Sequence, residues 1–399
     1  MTTSAAPRPS FAILVAISAI GPLALNIFIP SIPGLQNSFG ITYGTAQLTL
    51  TLYLIGLGVC QLGYGPLSDH YGRRPLLLGG MALFVVASLA AAIAPNIETL
   101  IAARLFQAIG GASGIVLARA MVRDVFDREK SASVISYITM AFVVAPMVAP
   151  TLGGFIDKVS GWRADFWLLA AVGAMTLAAA WRALPETHVN RTGVSRAPGM
   201  IEGAVRLLGI PQFLGYAIML AFTSTVFFSF LGAAPHIMVD VLGRTPMEYG
   251  LWFITVSGSY MFGNFMSGRY TQRFGIDRMI LIGCAITTAG GFLSLLAAIT
   301  GLLSPATLFL PMALSGFGNG LSIPNGTAGA ISVDPRITGA AAGWAGFLQM
   351  ACGAAASQLV GTLQNGWPLA VFWFMAAASA LALATHVVSM RAQTGTVPR

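Results

Sequence analysis

The chain alternates between long runs without charge and short clusters of it. From Pro9 to Ser68 there is no charged side chain. Then comes Gly65-Pro-Leu-Ser-Asp69-His-Tyr-Gly72-Arg73-Arg74-Pro75, and from Pro75 to Ile97 the charges vanish again. A helix crossing a bilayer needs about 20 apolar residues, each rising about 1.5 Å. That rule predicts twelve spans, at 10–32, 44–67, 75–95, 98–119, 131–156, 164–183, 210–234, 247–268, 278–300, 304–326, 338–362 and 367–390. The apolar runs 9–68, 279–333 and 337–390 are each long enough for two spans. Each carries a turn signal near its middle, such as Pro33-Gly34 or Asn365-Gly366-Trp367-Pro368.

Composition agrees with this pattern. Only 9% of residues are charged, 56% are hydrophobic and the mean hydropathy is +0.78, whereas a soluble chain carries about 25% charged residues. The net charge of +8 would suit a nucleic-acid partner if the basic residues shared one face, but they lie in short loops between spans. Cys60, Cys284 and Cys352 are scattered through apolar segments without metal or disulfide spacing, and read as small buried residues. The first apolar run is too long for the core of a cleavable signal, so it is predicted as a helix. No metal or cofactor site is expected, and an Gly-x4-Gly-Lys-Ser/Thr phosphate loop is not present in the sequence.

Lysine and arginine give an orientation, because cytoplasmic loops are enriched in them. One side holds Arg8, Arg73, Arg74, Arg119, Arg123, Arg128, Lys130 and the basic residues of the loops that follow on that side, ending with Arg391 and Arg399. The other side holds Lys158, Arg163 and Arg244. Both termini are therefore expected in the cytoplasm. The polar stretch 185–209, with Pro185, Gly193, Pro198 and Gly199, suits a cytoplasmic linker, and 201–208 suits a short surface helix. It divides the chain into an N-terminal bundle (1–184) and a C-terminal bundle (210–399). Gly268-Arg269-x3-Arg273-Phe274-Gly275-x2-Arg278 echoes the Gly65–Arg74 cluster in the second half, without its aspartate. Repeated halves with a binding site between them at mid-membrane are a transporter architecture.

Gly65-x-x-x-Asp69-x-x-Gly72-Arg73-Arg74 resembles the loop between the second and third helices of major facilitator superfamily transporters. Further stretches resemble that superfamily's drug:proton antiporters, and within them the bicyclomycin-resistance/chloramphenicol-efflux (Bcr/CflA) branch. These are Leu25-Asn26-Ile27-Phe28-Ile29-Pro30-Ser31-Ile32-Pro33, Arg104-Leu-Phe-Gln107-Ala-Ile-Gly110-Gly111, Arg119-Ala-Met-Val-Arg123-Asp124, Ala145-Pro146-x3-Pro150-x2-Gly153-Gly154, and the pair Gly161-Trp162-Arg163 and Leu184-Pro185-Glu186-Thr187. They cover the N-terminal half densely and the C-terminal half loosely. The resemblance implies an all-α membrane protein, with 12 transmembrane helices in two pseudo-symmetric six-helix bundles (the major facilitator fold). It also implies a monomer in a bacterial-type inner membrane, working by alternating access.

Within that frame, Gly65, Asp69, Gly72, Arg73, Arg74 and Asp124 are expected to form a cytoplasmic latch. Asp69 and Arg73 are i,i+4 neighbours if the turn is helical, and Asp124 can accept a charge-assisted bond from Arg73. Pro146, Pro150, Gly153 and Gly154 are expected to form a hinge, since each proline removes a helix hydrogen bond and the glycines allow close contact. Arg104 lies two turns into the fourth span. An intramembrane cation should face a partner or a cavity, so Arg104, Gln107 and Gly111 are expected to form a polar strip open to the central cavity. Tyr53, Gln61, Tyr137, Met140, Phe227, Phe230, Asn319 and Gln349 are further candidates for its wall, with soft apolar and amide surfaces that suit an amphipathic substrate.

Asn26 departs from the branch, which has an aspartate at that position. An amide cannot carry a proton. All 13 acids, Asp165 among them, fall at span ends or in loops, so no mid-membrane carboxylate is expected. His236, Asp157 and Asp240, near periplasmic ends, or a titrating substrate remain as candidate proton carriers. The expected function is export of small amphipathic compounds such as antibiotics, proton-linked although the helix-1 aspartate is missing. An uncoupled or substrate-driven transporter of an anionic metabolite is the alternative, with Arg104 as its anion site. A membrane enzyme or sensor finds no catalytic constellation and no extramembrane domain in the sequence.

Overall fold

The computed structural model describes residues 9–126, 128–187, 200–334, 336–363 and 369–394, with part of the side chains of one helix outside that set. Among the described residues the regular elements are all helical, joined by short turns. Helix α1 (Phe11–Ile27) passes through a short 3-10 turn (Ile29–Ser31) into α2 (Ile32–Phe39). Next come α3 (Tyr43–Tyr71), α4 (Arg73–Ala92), α5 (Ile97–Val125), α6 (Arg128–Ser160) and α7 (Arg163–Ala183). The short α8 (Met200–Leu208) precedes α9 (Pro211–His236), which ends in a π-helical turn (Ile237–Val241). Helices α10 (Pro246–Phe274), α11 (Ile276–Ile299), α12 (Pro305–Ser332), α13 (Thr338–Leu363) and α14 (Leu369–Thr394) complete the fold.

Among the described residues, nine helices are long and apolar enough to cross a membrane by length and composition. The remaining three expected spans coincide with α6, α10 and α13, which are 33, 29 and 26 residues long. Several helices outrun the apolar stretches that predict them, because a polar end adds nothing to hydropathy but still extends the helix. Thus α3 runs through Asp69, and α5 through Arg119, Arg123 and Asp124. The turn expected at Pro33-Gly34 lies instead inside α2, where Pro33 sits in the first turn and needs no N–H partner. The chain reverses later, at Gly40 (φ 65°). The Asn365–Pro368 turn lies outside the described residues.

The repeat expected from the two basic clusters has a backbone counterpart. Gly72 joins α3 to α4 at φ 96°, ψ 156°, and Gly275 joins α10 to α11 at φ 82°, ψ 159°. A residue with a Cβ is strained at such φ values. Packing repeats as well. α5 lies against α1, α3 and α4 and α12 lies against α9, α10 and α11, while α4 meets α7 as α11 meets α14. Both central crossings use glycine: Gly110 abuts the backbone of Gly80 and Phe84, and Gly318 that of Gly283. Between the two groups of six, the principal seams are α3 on α13 and α6 on α10, which are equivalent under the same repeat.

Candidate functional site

A cavity of about 610 Å³ lies between the two groups of helices. Its deeper wall is set by Asn26 on α1, Gln61 on α3, Ser224, Phe227 and Phe228 on α9, Ser257 and Tyr260 on α10, Asn319 on α12, and Gln349 and Met350 on α13. Asn319 Oδ1 accepts from Thr287 Oγ1 at 3.0 Å, and Gln349 Oε1 from Ser224 Oγ at 3.3 Å. Anchored amides interleaved with aromatic and thioether surfaces make a wall that can hydrogen-bond and still adapt in shape. Pro146 also lines the cavity. Tyr137 and Met140 lie outside the described side chains.

One end of the cavity is sealed. Tyr43 Oη donates to the Gly232 carbonyl (2.7 Å), Gln47 Nε2 to Ser357 Oγ, and Thr51 Oγ1 to Gln358 Oε1 (2.9 Å). Gln358 Nε2 returns a bond to the Gly44 carbonyl at 2.9 Å. Gly44 packs against Gly361 and Thr362, so no side chain holds α3 and α13 apart. His236 Nδ1 and Asp240 Oδ2 are 2.6 Å apart, Gln36 Nε2 donates to the same oxygen (3.3 Å), and the Tyr43 ring lies 4.8 Å from that of His236. His236 therefore belongs to the seal rather than to the cavity wall. A Cβ at Gly153 would overlap the Ile27 carbonyl, and one at Gly154 the Pro246 carbonyl. These two glycines close α6 onto α1 and α10 at the same end, and α6 stays helical through Pro146 and Pro150.

The other end is open between α3 and α13, whose antiparallel contact ends near Gln61 and Gly346. Beyond it Gly65 and Asp69 line the cavity on α3, and Gly339, Ala342 and Gly343 on α13. Arg73 organises this mouth. Its Nη1 lies 2.7 Å from Asp69 Oδ1 and its Nε 3.1 Å from Asp124 Oδ2, and Ser68 Oγ accepts from it as well. Glu186 accepts the backbone N–H of Arg73 and of Arg74, both at 3.1 Å, which caps α4. Arg74 donates to the Leu184 and Trp181 carbonyls, both at 2.8 Å, at the end of α7. Arg74 thus fixes the α3–α4 corner, turned at Gly72, to α7, and neither residue lines the cavity.

Arg104 does not open onto the cavity. It is wholly buried. Its guanidinium carbon lies 4.1 Å from the Tyr53 ring centroid, 5.4 Å from that of Phe28 and 5.8 Å from that of Phe166. Nη1 donates to the Ala24 carbonyl (3.0 Å) and to Gln107 Oε1 (2.5 Å), and Gln107 Nε2 donates to Ser88 Oγ (2.8 Å). Arg104, Gln107 and Tyr53 therefore form a closed polar knot inside the first six helices, where aromatic faces replace solvent around the charge. Phe230 is likewise buried, edge-on to Phe309 at 5.3 Å. The expected strip fails because the sequence gives helix spacing but not which side of α5 meets protein.

Two further residues become prominent. Asp165, in the first turn of α7, is entirely buried; Ser31 Oγ donates to its Oδ2 (3.0 Å), while Oδ1 has no partner among the described residues. Its place at a span end concealed it, and its apolar neighbours Phe166 and Leu169 were the available signal. Arg119, expected at the cytoplasmic end of the fourth span, lies well within α5 and lines the cavity. Asn26 is buried in that wall, its Nδ2 donating to the Pro22 carbonyl (2.8 Å) and its Oδ1 without a partner among the described residues.

Residues 14–358 match the model of the Major Facilitator Superfamily. The chain is 32% identical over 336 residues to multidrug resistance protein D of Escherichia coli, covering 84% of each. It is 34% identical over 313 residues to the chloramphenicol resistance protein of Pseudomonas aeruginosa, covering 77% of this chain and 73% of that one. Its fold matches a D-xylose–proton symporter with a TM-score of 0.76 at 15% identity, over 95% of this chain and 96% of the other. With the repeated packing and the two matched loops, these similarities establish that the chain belongs to the major facilitator superfamily, in its Bcr/CflA drug-efflux branch.

Proposed function

We propose that this chain exports small amphipathic compounds, antibiotics among them, from the cytoplasm by alternating access. The observation that carries this reading is the cavity of about 610 Å³ between the two groups of helices, open at the Arg73 end and sealed at the Tyr43 end. The positive-inside asymmetry supports a cytoplasmic Arg73 end, and in that orientation the described state faces inward. Names of relatives that are resistance proteins support the substrate class. The latch around Arg73 and the glycine contacts of α6 are then the parts whose bonds differ between the two states, and such bonds bias the equilibrium rather than create it. The working unit is a monomer in the lipid bilayer.

Coupling to protons is the finer question. Among the described residues, Asp69 is the one carboxylate in the cavity wall, and Asn26 occupies the helix-1 position. That observation favours a second reading, in which flux is uncoupled or driven by the substrate's own gradient. Purified protein in liposomes, given a pH gradient and a chloramphenicol-like compound, separates the two. Substrate-dependent proton movement supports antiport, and flux without it supports the second reading. No flux of any amphipathic compound in either direction overturns export itself.

A further inference from the structure

We propose that the open half of the cavity holds a binding site for an anionic group, centred on Arg119 and completed by Arg123. It would take the carboxylate, phosphate or sulfate of a ligand whose apolar body lies against Phe227 and Met350. The inference rests on the cavity being the substrate site and specifies the charge of what enters it.

Charge pairing carries the argument. The charged side chains in the cavity wall are Asp69, Arg73, Arg119 and Arg123. Arg73 takes both available carboxylates, Asp69 at 2.7 Å and Asp124 at 3.1 Å. Asp124 is further occupied by Thr187 Oγ1 at 3.1 Å. Neither Arg119 nor Arg123 forms an ion pair with any described residue. The Nε of Arg119 is shut off from solvent and has no hydrogen-bond partner among the described residues. A guanidinium left with a buried, unsatisfied donor and a like charge one turn away is an incomplete arrangement, since buried charges are ordinarily paired. An anion at this point supplies the missing acceptor and relieves the repulsion, in a planar geometry suited to carboxylate and phosphate. Arg104, the cation that the sequence suggested for an anion, is already enclosed by Tyr53, Phe28 and Ala24.

Such a group can arrive on a soluble amphiphile or on an anionic lipid headgroup. The test is titration calorimetry on the full chain in phosphatidylcholine nanodiscs with 2-naphthoate and, as a neutral match, 2-naphthalenemethanol. At least tenfold tighter binding of the naphthoate is expected. Arg119→Gln is expected to erase that preference while keeping the alcohol's affinity, and Arg119→Lys to retain part of it. No preference in the wild type, or a preference that survives Arg119→Gln, overturns the proposal. If the glutamine variant does not fold, Arg123→Gln decides: the preference must fall severalfold, and an unchanged one overturns the site. Phosphatidylglycerol that competes with naphthoate only when Arg119 is present assigns the site to a lipid headgroup. Naphthoate binding indifferent to that lipid assigns it to the soluble amphiphile. Because the readout is binding, failure of export in liposomes leaves this result standing, and the converse also holds.

Discussion

Tyr53 lies beneath the guanidinium of Arg104, its ring centroid 4.1 Å from the guanidinium carbon, and the pair is wholly buried in the first six helices. Tyr53 also ties α3 to α1, its Oη donating to the Gly21 carbonyl at 2.9 Å. A desolvated cation–π contact is worth about 2 kcal/mol. Tyr53→Leu removes it together with the hydrogen bond and should lower the Tm of the detergent-solubilised protein by several degrees. Because Tyr53 does not line the cavity, affinity for a neutral substrate should change less than twofold. A large loss of affinity at unchanged Tm would put Tyr53 in the site instead.

Arg73 is shared unequally by its two acids. The Asp69 side chain is 62% exposed and that of Asp124 19%. An exposed pair contributes about 0.2–1 kcal/mol, whereas a better shielded charge-assisted bond contributes about 1.5–3 kcal/mol. At equal expression, Asp69→Asn should cut transport by no more than about fivefold, since about 1 kcal/mol corresponds to that ratio. Asp124→Asn should cut it more. The reverse order, measured by substrate flux in liposomes, would show that Asp69 has a second partner in another state.

Tyr43 seals the closed end through a single hydroxyl, bonded to Gly232 across the two groups of helices. Tyr43→Phe keeps the ring against His236 and removes about 1 kcal/mol of hydrogen bonding. The outward-open population should rise about fivefold, read as the distance distribution between spin labels placed at the outer ends of α3 and α13. An unchanged distribution would mean that the remaining bonds of the seal, Gln47–Ser357, Thr51–Gln358, Gln358–Gly44 and Gln36–Asp240, hold it without Tyr43.

Asn26→Asp places a carboxylate in the cavity wall where an amide oxygen without a partner among the described residues now lies. Substrate-dependent proton movement in liposomes should appear or increase. If it does not, the proton pathway lies elsewhere, and Asp165, buried with one oxygen that has no partner among the described residues, is the group to change next.

Asp334, between α12 and α13, docks the linker helix through Arg206 (3.5 Å) and accepts from Arg336 Nε (3.1 Å) and its backbone N–H (2.9 Å). The Arg336 bonds hold its carboxyl below the ordinary 3.8. A depressed carboxyl stabilises the fold above its unfolded value and loses that contribution as pH falls through the folded one. Docking of α8, followed by limited proteolysis, should therefore be constant from neutral pH down to about 5 and weaken only below 3.8. Asp334→Asn should expose the linker at neutral pH.

The sequence by itself determined the number and order of the long helices, the short helix Met200–Leu208, the repeat about the two glycine corners and the superfamily. Hydropathy counts residues that avoid water, and turn glycines and basic clusters mark where the chain leaves the bilayer, so both are local signals. The same local rule ended the helices too early and left Arg119 as the last residue of its span. It also read Asp165 as a span-end acid, where the folded chain buries it completely. Only the tertiary structure decided which way each helix faces. In water a helix reveals its inner face by an apolar stripe. In a bilayer the outer face is as apolar as the inner, since lipid and protein interior are alike in polarity. That contrast is missing along α5, so the sequence cannot tell that Arg104 turns inward to Tyr53 while Arg119, four turns on, turns toward the cavity.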